Sequence, residues 1–306
     1  MILLDNHNPL CQGRVVQEGA SAQRGRRSVR LPVLALHSSA SSGGQWKALG
    51  DYLAWEREVL TPDLPGYGEA AESSVLMAPA DLAREADWLL RHAGLPPGPF
   101  HLVGHSYGGA VALKLALLAP QRISSLTLIE PVLFHLLSTA GNRRAGKTET
   151  TLYRQILGLR DRVRGAVAAG WPAHGMEAFV DFWSGKDAWQ RLAQPKRQAL
   201  ARQAKSVLRN FEAVLAEAWP IKDVAGLDLP LQTIFGARSP EVSRRLTELL
   251  TDVTGRATGT QIFTAGHMAP LTHSATVNAA IVHHIEVAEG RRRRPIPLPP
   301  ASPLVA

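Results

Sequence analysis

Gly104-His105-Ser106-Tyr107-Gly108 places a serine midway between two glycines, the G-x-S-x-G spacing. An apolar strand-like stretch (FHLV) precedes it and an apolar helical stretch (AVALKLALLA) follows. A tight strand-to-helix turn strains its central residue, and side chains at the flanking glycines would clash there. Ser106 would then project from the end of the strand at the N-terminus of a helix, whose dipole favours a nearby anion. That is the position of a nucleophile. A free serine hydroxyl reacts poorly, so a base must activate it, and the chain offers eleven histidines. Attack on a carbonyl also creates an oxyanion that needs two backbone N–H donors. Tyr107, directly after the nucleophile, supplies one.

Such a turn requires particular elements around it. PVLALHS (32–38), REVLTPD (57–63), FHLVGHS (100–106), LTLIEP (126–131) and LQTIFGA (231–237) are short apolar runs ending in polar or Gly-rich turns. Amphipathic stretches such as WKALGDYLA (46–54) and APADLAREADWLLRHAG (78–94) separate them. Strands that are apolar throughout, alternating with helices, indicate an α/β fold: a doubly wound, mostly parallel sheet covered on both faces. The pattern breaks over residues 134–225, which are helical by composition and hold Trp171, Trp183, Trp189 and Trp219, four of the seven tryptophans. That stretch reads as an inserted helical cap. The core then comprises residues 31–133 and 226–289, flanked by a hairpin or loop region (1–30) and an Arg/Pro-rich tail (290–306) expected to be disordered.

Several motifs together resemble the α/β-hydrolase superfamily, over residues 30 to 288. LALHSSASSGGQW resembles its oxyanion-loop segment, with Ser38 where glycine is usual. GHSYGG resembles the nucleophile elbow, PDLPGYG (62–68) another frequent segment, and TAGHMAPLTH the loop carrying the catalytic histidine. The resemblance implies eight strands in the family pattern and a cap-bearing, serine-nucleophile enzyme. It implies that His267 is the base, with His273 as an alternative, and that Ser39 gives the second oxyanion N–H. His37 ends a strand beside the oxyanion loop and is expected to hold that loop; His37, Ser38 and Trp183 are assigned to the substrate pocket. His105 is expected to pack beneath the elbow.

The third catalytic member departs from the family. Where a G-x-x-D-P-like segment usually supplies an aspartate, the chain reads Gly236-Ala237-Arg238-Ser239-Pro240. A serine cannot stabilise an imidazolium as a carboxylate does. Glu130 ends the strand after the elbow helix, where some members of the superfamily carry the acid, and Glu241 is a second candidate. A dyad without an acid is the third possibility. Asp63 reads as a loop-former.

The balance of charge narrows the partners. The net charge of +8 lies mostly in the flanks: five Arg against Asp5 and Glu18 in residues 1–30, and Arg291 to Arg294 without an acid at the end. A nucleic-acid binder spreads its basic residues over the folded surface, so none is expected as a partner. One cysteine, Cys11, rules out a disulfide framework. No apolar run is long enough for a membrane span and no secretory signal is evident, so a cytoplasmic protein without membrane contact is expected. No metal-ligand spacing and no phosphate-binding glycine motif stands out, and no cofactor is expected.

Phe179, Phe182, Trp183 and Trp189 fall within eleven residues of the cap. An aromatic cap over a serine nucleophile suggests an apolar pocket that restricts water. The expected function is a serine hydrolase of the carboxylesterase class, acting on a small molecule through an acyl-enzyme. A C–C bond hydrolase of ring-fission products and a non-catalytic ligand-binding relative are the alternatives.

Overall fold

Apolar residues occupy both faces of the central strands because helices cover both faces of the sheet. Leu34, Leu36, Leu102, Leu126 and Leu128 join the core on one side, and Val33, Ala35, Val103, Ile129 and Ile234 the core on the other. The computed structural model describes residues 30–138, 145–255 and 257–290. Residues 1–29 and 291–306, which hold most of the expected hairpin region and tail, lie outside the described residues.

The strands are β1 (Val33–Leu36), β2 (Val59–Leu60), β3 (Phe100–His105), β4 (Ile123–Ile129), β5 (Leu231–Gly236) and β6 (Thr258–Ile262). Between them lie α1 (Lys47–Leu53), α2 (Leu82–His92), α3 (Tyr107–Leu118), α4 (Lys147–Ala168), α5 (Pro172–Ser184), α6 (Gln194–Arg202), α7 (Ala204–Leu215), α8 (Lys222–Ala225) and α9 (Glu241–Thr254). After β6 come the short α10 (Ala269–Thr272) and α11 (Ser274–Ala288). All strand pairs are parallel, in the order β2-β1-β3-β4-β5-β6. The described residues thus hold six strands, against the eight of the family pattern. The segment 57–63, strand-like throughout by composition, pairs only at Val59 and Leu60. Beyond them Asp63 draws the chain into a turn, its carboxylate accepting from Gly43 N (2.7 Å) and Glu69 N (2.9 Å).

Strand order reverses at β1, which has β2 on one side and β3 on the other. The crevice beyond the carboxyl ends of β1 and β3 is where such a sheet binds ligands. Ser38, Ser39 and Ser106 follow those two strand ends. The segment between β4 and β5 is helical from a turn at Phe134–Leu137 to α8, with no strand among its described residues. It forms the cap. α3 is apolar on nearly every side because it lies between the sheet and α7 of the cap. Among the described residues no helix is long and apolar enough to cross a membrane.

Candidate active site

The turn after β3 forces Ser106 to φ 54° and ψ −115°, a region costly for any residue with a side chain. It is pinned from both sides: Ser106 N donates to Ile129 O (2.9 Å), and Val132 N donates to Ser106 O (3.2 Å). The flanking glycines follow from crowding. A Cβ on Gly104 would stand 2.4 Å from Gly108 O, and one on Gly108 would stand 2.4 Å from His37 O. Neither contact is tolerable.

His267 lies between β6 and α10, and its Nε2 is 3.0 Å from Ser106 Oγ. Its Nδ1 is 2.6 Å from Glu130 Oε2. A carboxylate only accepts, so Nδ1 carries the hydrogen and Nε2 is left to take the serine proton. Glu130 ends β4 at φ 44°, a second strained non-glycine residue. Its other oxygen, Oε1, accepts from Gly236 N (2.8 Å) and Ser239 Oγ (2.5 Å). Burial alone would raise the Glu130 pKa. The hydrogen bond and charge of His267, with the donors Ser239 and Gly236, outweigh burial and hold it at about 2. Ser239, where the resemblance expects the acid, thus donates to the Glu130 carboxylate instead.

The other candidates go elsewhere. Glu241 is exposed at the start of α9, in a surface cleft with Glu149, Arg244 and Arg245. His273 bonds the hydroxyls of Thr264 (3.1 Å) and Thr272 (2.8 Å). Burial pushes His105 down to about 3 and keeps it neutral. Its Nε2 donates to the His267 carbonyl (2.8 Å), which holds His267 from beneath.

The oxyanion loop is built from the same logic. Ser38 N and Ser38 Oγ both donate to Gln45 Oε1, at 3.2 and 3.0 Å. His37, assigned by the sequence to the pocket, lines neither chamber described below and is wholly buried. Leu64 N donates to His37 Nε2 (2.9 Å), so the ring's hydrogen is on Nδ1, which donates to Ser38 O (2.7 Å). Burial lowers the pKa of His37 and keeps it in this neutral form. Ser38 O and Ser39 N–H belong to one planar peptide and point in opposite directions. By gripping the carbonyl, His37 fixes the direction of the Ser39 N–H. Ser39 and Tyr107 line the same chamber as Ser106.

Two chambers meet at Ser106. The inner one is walled by Val132, Phe134, Phe179, Val207, Phe211 and Val214. The outer one, about 230 Å³, includes Ser38, Leu192, Lys196, Leu200, Met268 and His267. Trp183 borders both and stacks on His267, with ring centroids 4.3 Å apart and planes at 27°. An indole face there shields the imidazole from water. Spacing along the chain gave no sign of this stack, nor of Ser243 Oγ, 3.3 Å from His267 Nδ1. Among the described residues no group of three or more His, Cys, Asp or Glu is placed to hold a metal ion.

A parallel sheet under helices, with Ser106 on a strained turn between strand and helix, describes an α/β architecture. The alpha/beta hydrolase fold family model matches residues 32–274, and the chain belongs to that family. Among known proteins, the chain is 40% identical over 98 residues to the dihydrolipoyllysine-residue acetyltransferase component of the acetoin cleaving system of Pseudomonas putida. That match covers 32% of this chain and 26% of the relative. It is 35% identical over 99 residues to the lipase LipV of Mycobacterium tuberculosis, covering 32% of this chain and 36% of LipV. The chain thus spans about a third or less of the length of these relatives. Over most of its length it superposes on a thermophilic esterase from Thermogutta terrifontis, with TM-score 0.63 and 24% identity, covering 85% of this chain and 91% of that one. That likeness is one of fold.

Proposed function

We propose that the protein is a serine hydrolase that cleaves carboxylic esters of small to medium apolar acids through an acyl-enzyme on Ser106. The observation that carries this reading is the relay from Ser106 Oγ through His267 to Glu130, at 3.0 and 2.6 Å, opening on two largely apolar chambers. The names of LipV, a lipase, and of the Thermogutta terrifontis esterase agree with it.

In this mechanism Ser106 Oγ attacks the ester carbonyl while His267 Nε2 takes its proton. The tetrahedral oxyanion is held by the N–H groups of Tyr107 and Ser39. His267 returns the proton to the departing alcohol, leaving the acyl group on Ser106. Water then repeats the sequence, with His267 as base, and releases the acid and the free serine. Glu130 keeps the tautomer of His267 and stabilises its positive charge throughout.

A fluorophosphonate probe is expected to label the folded protein on Ser106, with the adduct located by peptide mass spectrometry. No adduct on folded protein would overturn the reading in favour of a ligand-binding relative. A panel of p-nitrophenyl esters of rising acyl length is expected to show turnover falling once the chain outgrows the outer chamber. On the best of those esters, His37→Phe is expected to lower kcat about 10²-fold, the loss typical of one misdirected oxyanion donor. Steady-state kinetics with a thermal melt would check it, and an unchanged kcat would remove His37 from the oxyanion loop's support.

A further inference from the structure

The inner chamber, about 20 Å³, has room for about one water, so the longer arm of an ester must lie in the outer one. Of the residues lining the two chambers, Lys196 is the one Lys, Arg, Asp or Glu. It stands in the first turn of α6, exposed to solvent, and borders the outer chamber with Leu192 and Leu200. Among the described residues its ammonium has no hydrogen-bond or ion-pair partner. Its neighbours are engaged: Arg197 donates to Gln190 Oε1 (3.1 Å) and Arg191 to the Lys186 carbonyl (3.1 Å). No carboxylate offsets this charge at the mouth. Residues 185–209 of the cap hold seven Lys and Arg against one acid, Asp187. The cleft that reaches His267 on the other side of Trp183 contains Arg238 and no Asp or Glu. Glu130 lines none of these spaces. A cleft with apolar walls and charges of one sign gathers ligands of the other sign.

We propose that Lys196 is a specificity-determining residue: its ammonium binds a carboxylate at the end of the substrate's longer arm. The inference rests on the esterase reading above and narrows its substrate to an ester with an apolar stem and an anionic end. Leu192 and Leu200 take the stem, and Lys196 meets the charge where the chamber opens to water. A neutral arm of the same shape gains the apolar contacts alone. A carboxylate drawn into an apolar space without a cation would lose hydration for nothing, so the lysine decides the sign of the preference.

Matched esters test this. Monomethyl adipate and its terminal amide share a shape and differ in charge, as do 5-acetoxypentanoate and its amide. The first pair puts the carboxylate on the acyl side, the second on the alcohol side. In at least one pair the wild-type protein is expected to favour the carboxylate about ten-fold in kcat/KM at low salt, the worth of one hydrogen bond between charged groups. The preference is expected to shrink from about 0.01 to about 1 M salt, as the screening length falls from about 30 to about 3 Å. A lysine that only lays its stem over apolar surface would give neither effect. Lys196→Met keeps the stem without the charge and is expected to abolish the preference; Lys196→Glu is expected to invert it. Each ratio is taken within one protein, so a change in overall rate cancels. Equal wild-type values in both pairs, or a preference that survives Lys196→Met, overturns the proposal and leaves the esterase reading intact. Turnover of none of the four esters counts against the esterase reading, and binding then decides the proposal. Ser106→Ala protein, titrated calorimetrically, is expected to hold monomethyl adipate more tightly than its amide. Equal or absent binding overturns the anion site.

Discussion

Replacing Glu130 by Gln is expected to lower kcat for ester hydrolysis about 10⁴-fold while the protein remains folded. The loss turns on which way the new amide faces. Gly236 N and Ser239 Oγ both donate to one oxygen of Glu130, so the amide oxygen of Gln settles there. Its NH₂ group then points at His267 Nδ1, where the carboxylate now accepts at 2.6 Å. An amide donor at Nδ1 drives the imidazole hydrogen to Nε2, the atom that must take the proton of Ser106. The base is then present, in place and in the wrong tautomer. Ester kinetics with a thermal melt as a folding control would check this. A loss of less than about ten-fold would show that Glu130 is not the acid of the relay. Ser239→Ala is expected to do far less, since Gly236 N still holds Oε1.

Ser106→Ala is expected to cost more, about 10⁶-fold in kcat, and to abolish fluorophosphonate labelling. Without Oγ no acyl-enzyme forms, and His267 and Glu130 have nothing to activate. The three residues act as a unit, so their losses do not add. Ser106→Ala/Glu130→Gln should hydrolyse esters as slowly as Ser106→Ala alone. A double variant much slower than the single one would mean that Glu130 serves a reaction in which Ser106 takes no part.

Local chemistry was what the sequence made legible. The elbow could be read because its two glycines answer to contacts within one turn and the adjoining strand. The parallel, doubly wound sheet could be read because strands covered on both faces have no reason to alternate. Glu130 came into view indirectly, through the serine standing where an aspartate is usual and through its place at a strand end. What stayed hidden depends on contacts between distant segments. The stack of Trp183 on His267, the Ser239 bond to Glu130 and the bond of Asn210 to Ser39 join residues that no local pattern relates. His37 was given two roles by its position at a strand end, and only its bonds to Leu64 and Ser38 separate them. β2 is shorter than the apolar run 57–63 because the Asp63 carboxylate draws the chain aside onto the N–H groups of Gly43 and Glu69.

Placing the carboxylate at the end of β4 alters the order in which the machinery comes into being. β3, α3 and β4 are consecutive, so Ser106 and Glu130 are joined by one compact strand–helix–strand segment with short-range contacts. Such segments organise early, and a chain leaving the ribosome folds from its N-terminal side. The backbones that carry Ser106 and Glu130 can thus pair while the cap and β5 are still being synthesised, and the Glu130 carboxylate gains its donors Gly236 and Ser239 only once β5 has docked. His267 follows both in the chain, beyond β6. On the proposed mechanism, a nascent chain would carry Ser106 without its base until the segment after β6 has docked.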